Sequence, residues 1–140
     1  MNLALVTVDS LRADHMSCYG YERETTPEID DLASQSHVFT EAIAHACATR
    51  PSFPSLLTST HGMLYGGFDH LSDEQVPLSV PLSDRGYATG GFHSNPFLSA
   101  EFGYSRGFDA FNDSEDDPSA VSKLRKYVSN NLDGRLHDLL

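Results

Sequence analysis

The sequence predicts an α/β fold with a mainly parallel sheet flanked by helices, and three observations carry that prediction. Short apolar, β-branched runs alternate along the chain with segments at helical spacing. The first run, Leu3 to Val8, is apolar on both faces, as in a strand covered on both sides of a parallel sheet. Start and stop signals bracket the helical segments, among them Thr26-Pro27-Glu28 and Gly86.

Taken in order, Leu3 to Val8 is the first strand and ends at Asp9. In "TTPEIDDLASQS", Thr26 can cap, Pro27 suits the first helical position and Glu28 suits the positive end of the dipole. Ile29, Leu32 and Ala33 share a face, so a helix is expected from Pro27 to Ser36. "HVFTEAIA" reads as the second strand. Pro51 to Thr58 reads as a further helix with Leu56 and Leu57 facing the core. The glycines at Gly62, Gly66 and Gly67 mark a loop. A short helix from Ser79 to Arg85 is closed by Gly86 in the left-handed conformation. "YATGGFHS" is the third strand, with glycines that admit close approach of another backbone. A last helix opens at Pro118, with Val121, Leu124, Tyr127 and Val128 on one face. Neither a repeat nor a linker interrupts residues 1–140, which read as one domain.

Composition narrows the function. With 20 acidic and 9 basic residues the net charge is −11, which argues against nucleic acid and anionic membrane as partners, since both select positive charge. Hydrophobic residues make up 39% of the chain, enough for a globular core. Two cysteines, Cys18 and Cys47, are too few for a disulfide framework and form no zinc-type pair. The opening "NLALVTVD" lacks the basic flank and length of a signal peptide, and no run has the length of a membrane helix. The expectation is a cytoplasmic protein.

Ligands of parallel α/β sheets bind beyond the carboxyl ends of the strands. That rule brings Asp9, Thr49 and His93 toward one edge. Asp9 is either an oxygen ligand for a hard cation or a turn residue. Thr49 lies at the mouth of a helix, where backbone N–H groups favour an anion and a hydroxyl can attack it; equally, it is a natural N-cap. Cys47 is a candidate thiol nucleophile without an obvious base, or a packing residue. His45, His61 and His93 are candidate acids, bases or ligands, or satisfied histidines; Arg50 is a candidate anion contact or a solvated side chain. The acids from Asp113 to Asp117 read as a solvated approach to the last helix.

Three segments read jointly are more specific. "LVTVDSLRADHMSCYGYERETTPEIDDLASQSHVFTEAIA" resembles the opening of the sulfatase family, within the alkaline phosphatase superfamily. "TRPSFPSLLTS" resembles its nucleophile motif, and "GYATGGFHSNPFL" with "GYSRGFDAF" resembles the strand and loop that follow. The resemblance spans about residues 3 to 112 and implies the N-terminal part of an alkaline-phosphatase-like sandwich. Aligned on Pro51, Ser52 and "SLLT", it puts Thr49 at the position that sulfatases oxidise to formylglycine; threonine cannot give that aldehyde, so no formylglycine is expected. The motif's arginine falls on Phe53, the second aspartate of the first metal site on Ser10, and the family's lysine–histidine pair on "HSNP".

The resemblance implies metal-assisted cleavage or transfer at a sulfate or phosphate ester. Thr49 would be the nucleophile, Asp9 a ligand of a divalent ion (Ca, Mg, Mn or Zn), and Arg50, His93 and Asn95 contacts for the ester oxygens. The remaining metal ligands of the family lie in its later half. The alternative expectation is therefore a truncated, inactive remnant, or one half of a split protein. Its partners would then be a C-terminal half or a second copy, joined at an exposed sheet edge.

Overall fold

The computed structural model describes residues 2–65, 68–112, 126–127 and 129–130. The chain divides into two compact units, Met1–Ala44 and His45–Leu140.

In the first unit, 3-10 turns at Ala13–His15 and Ser17–Tyr19 lead to helix α1, Pro27–Ser34, two residues shorter than expected. Pro27 stands in its first turn, and Glu28 and Asp30 lie there as the dipole favours. One carboxylate links the second 3-10 turn to α1. Asp30 accepts hydrogen bonds from Ser17 Oγ at 2.6 Å, from the Cys18 N–H at 2.8 Å and from Thr26 Oγ1 at 3.3 Å. These donors, Ser17 first, hold the Asp30 carboxyl below its ordinary pKa range. A depressed folded-state pKa contributes stability above the unfolded value of about 4, and that stability is lost as pH falls through the folded value. Protection of the Cys18 amide against hydrogen exchange should therefore fall in acid below about pH 4. Asp30→Asn should show weak protection at every pH. Equal acid sensitivity in the two proteins would contradict this role.

The first two expected strands do not form. Leu3 to Val8 is irregular, and Leu3, Leu5, Val6 and Val8 are 55–80% exposed. His37 to Ala44 is irregular too, with Phe39 and Ile43 mostly exposed. An apolar run states a preference for burial, but a strand also needs a neighbour for its backbone groups. Among the described residues neither run is paired in a sheet. On α1 the expected apolar face is only partly covered, with Leu32 exposed.

In the second unit, α2 spans Thr49–Thr58 and α3 spans Ser79–Ser83. After α3 the Gly86 N–H donates to the Ser83 carbonyl at 2.8 Å, and Gly86 takes φ +80°. That is the expected left-handed stop. Leu71, Leu98 and Tyr104 form the core, with Phe53, Leu57, Phe102 and Phe111 packed against it. Leu57 thus faces inward as expected, whereas Leu56 is 47% exposed.

Strand β1, Gly90–Phe92, lies within the expected third strand. It pairs in parallel with β2, Ala110–Asn112, a segment expected to be loop, in the register Gly90↔Ala110. A parallel pair needs a crossover, and 3-10 turns at Pro96–Leu98 and Ala100–Phe102 lie on it. Thr89 ties the strands at their start: its N–H donates to Asp109 Oδ2 at 2.8 Å and its hydroxyl to the Gly107 carbonyl at 2.7 Å. What approaches Gly91 is an aromatic side chain rather than a backbone. A Cβ there would lie 2.8 Å from the Phe111 ring and 3.0 Å from Phe108. The helix expected from Pro118 lies outside the described residues, apart from fragments such as Tyr127, whose ring meets Phe92 at 5.9 Å.

Candidate active site

Helix α2 begins two residues earlier than the sequence predicts. Ala48, with extended φ −144° and ψ 159°, is the N-cap, and Thr49 is the first helical residue. Thr49 is therefore not the cap, and its hydroxyl is not used to hold the helix end. Helix geometry leaves the first N–H groups without intrahelical acceptors, and Pro51 has none to offer. The N–H groups of Thr49 and Arg50 remain at the positive end of the helix dipole. Ser52 fastens the preceding segment to this turn by donating from Oγ to the Ala46 carbonyl at 2.9 Å.

The crossover after β1 delivers Asn95 to this helix end. The Asn95 carboxamide oxygen accepts the Phe97 N–H at 3.0 Å, capping the Pro96–Leu98 turn. An oxygen committed to an N–H fixes which way the amide faces. Its Nδ2 accordingly points at Thr49 and donates to Oγ1 over 3.4 Å, a long contact. Pro96–Leu98 also presents Phe97, whose ring lies under the Arg50 guanidinium at 5.3 Å from the centroid. Arg50 Nη2 makes an ion pair with Asp69 Oδ1. Burial pushes the Tyr104 hydroxyl up to about 12, a rise that the charge of Arg50 opposes. Tyr104 is thus a neutral core residue and not a base.

Of the residues singled out in the sequence, Thr49, Arg50 and Asn95 come together. His93 leaves the end of β1 and packs its ring on Phe111 at 5.3 Å. His45 and His61 meet edge to face at 6.4 Å. Cys47 is exposed, on a bend before α2, and is not the packing residue expected. Asp9 belongs to the first unit, in a turn closed by the Leu11 N–H on the Val8 carbonyl, where Ser10 Oγ donates to it at 3.3 Å. Sequence reasoning missed Asp69 and Phe97. No local signal marks either, because each is defined by its contact with Arg50 from a distant part of the chain.

A sulfatase family model matches residues 1–138. The chain belongs to the sulfatase family. It is 34% identical over 97 residues to N-acetylgalactosamine-6-O-sulfatase of Bacteroides thetaiotaomicron, and 31% identical over 98 residues to human arylsulfatase A. Each match covers 64% of this chain and 19% of the relative. Human iduronate 2-sulfatase is 41% identical over 58 residues, which is 41% of this chain and 10% of that protein. This sulfatase-family chain thus spans about a fifth of the length of the first two relatives. No solved structure matches it. The family carries an alkaline-phosphatase-like α/β fold, with which the helices and the small two-stranded parallel sheet agree in part. Members typically use a divalent metal. Among the described residues no group of three or more His, Cys, Asp or Glu side chains gathers to hold one. A hard divalent ion takes six or more oxygen ligands, and the Asp9 side chain has one carboxylate. The described residues therefore do not build the metal site by themselves.

Proposed function

We propose that this chain supplies the nucleophile and the anion-binding end of a sulfatase-like hydrolase, with Thr49 in the position that other sulfatases fill with formylglycine. The observation that carries the reading is the Asn95 amide donating to the Thr49 hydroxyl at the head of α2. A hydroxyl that accepts this bond keeps its own proton to lose, and it belongs to the first residue of α2, where the N–H groups have no intrahelical acceptors. Those N–H groups and Arg50 attract the charged oxygens of a sulfate or phosphate ester. Thr49 Oγ1 then forms a bond to sulfur or phosphorus, the bond to the alcohol oxygen breaks, and the threonine proton ends on the departing alcohol. The resulting ester of Thr49 is released to water or to a second alcohol.

His93 is assigned to the ester oxygens from its place just beyond β1, on the same crossover as Asn95. A divalent metal is expected to act with Asp9 as one ligand, and no step above depends on it. The names of the relatives favour a sulfate ester of a small molecule as the substrate. The cytoplasm is the proposed location.

Trapping tests the reading. The chain is incubated with an activated aryl sulfate or aryl phosphate, quenched and mapped by peptide mass spectrometry. A sulfo or phospho adduct on Thr49 is expected, with Cys47 unmodified and no formylglycine at either position. An adduct on Cys47, or formylglycine at position 47, would overturn it.

A further inference from the structure

Arg50 is held from two sides by groups that are not anion-binding residues themselves. Phe97 lies under the face of its guanidinium, and Asp69 engages Nη2 through one oxygen only. A carboxylate that bridged the guanidinium in both positions would occupy a whole edge of it. One oxygen on one nitrogen leaves donors for a second anion, and Arg50 is 39% exposed. Asp69 is 82% exposed, so no burial requirement explains a carboxylate there. Its effect on a ligand is electrostatic, through a negative charge beside an ester oxygen that Arg50 binds.

We infer that Asp69 is a specificity-determining residue: by keeping its carboxylate on Arg50, it makes the site favour singly charged esters over doubly charged ones. The inference rests on the ester-binding reading of Thr49, Arg50 and Asn95. A sulfate monoester or a phosphate diester carries one negative charge, whereas a phosphate monoester carries close to two above its second pKa of about 6. The second charge is repelled by Asp69, which stands on the arginine that binds it. At the few ångströms that separate ligands of one guanidinium, and with partial solvent exposure, that repulsion corresponds to roughly tenfold in affinity. Salt screens it, so the discrimination shrinks as ionic strength rises.

The test uses the full chain at about pH 8, where a phosphate monoester is a dianion. Methyl sulfate and methyl phosphate are titrated at low salt, and the Nε–H resonance of Arg50 is followed by NMR. Asp69→Asn should shift the ratio of the two Kd values toward methyl phosphate by about tenfold. Asp69→Glu should keep the wild-type ratio, and so should Asp84→Asn, which makes the same change in net charge just after α3. Retained binding with an unchanged ratio in Asp69→Asn overturns the inference and leaves the ester site standing. Loss of both ligands in Asp69→Asn but not in Asp69→Glu also overturns it, because Asp69 would then be a support for Arg50. Failure of the wild-type chain to bind either ester removes the ester site and the inference together.

Discussion

Thr49→Ala is expected to lower turnover of an aryl ester by several orders of magnitude, because loss of an activated nucleophile removes the covalent route entirely. The same change should leave the fold in place. Thr49 is the first residue of α2 and makes no cap, and alanine is the better helix former. What is lost is the hydroxyl that accepts from Asn95. Thr49→Ser keeps a hydroxyl at the same position and should retain most of the turnover. Cys47→Ala should be close to wild type, since Cys47 is exposed and stands two residues before Thr49. Initial rates on aryl sulfate and aryl phosphate esters, with circular dichroism as the check on folding, distinguish the cases. An inactive Cys47→Ala beside an active Thr49→Ala would show that the thiol is the functional group and that the motif register is off by two residues.

The largest stability effect is expected at Gly107. Its φ of +78° already disfavours any side chain, at a cost of about 1 kcal/mol. A Cβ at this position would also lie 2.5 Å from the Val80 nitrogen and 2.7 Å from the Ser79 carbonyl carbon. Both atoms are backbone of the first turn of α3, so no side chain can rotate away. That turn is further anchored by Ser79 Oγ, which donates to the Arg106 carbonyl at 2.6 Å. Gly107→Ala must therefore separate α3 from the loop before β2, and a total loss of about 3 kcal/mol or more is expected. Against a typical domain stability of roughly 5–15 kcal/mol this is a large fraction. Gly86 is the control. It has φ +80°, and nothing lies within 4 Å of its Cβ position. Gly86→Ala should cost only the conformational part, about 1 kcal/mol. Urea unfolding followed by tyrosine fluorescence measures both. Equal losses at the two glycines would refute the steric explanation.

The sequence by itself determined what depends on neighbours a few residues apart. The start of α1 at Pro27, the stop at Gly86 and the inward side of α2 at Leu57 follow from proline at the first helical position, φ preference and helical spacing, although the Thr26 hydroxyl makes no cap bond. The sulfatase assignment is legible for a related reason, since its motifs are short runs of fixed spacing. Tertiary structure decided everything that needs a partner from elsewhere in the chain. Leu3–Val8 has the composition of a buried strand and is exposed, while Ala110–Asn112, with weaker strand character, is paired with β1. Composition expresses only a preference for burial, whereas a strand exists where another backbone meets its N–H and C=O groups. The site divides in the same way. Thr49 and Arg50 stand out in a motif, but Asn95, Phe97 and Asp69 reach them from separate segments of the second unit. A hydrogen bond or ion pair of a few ångströms carries no trace in local sequence, because the path of the chain between the two residues sets its length.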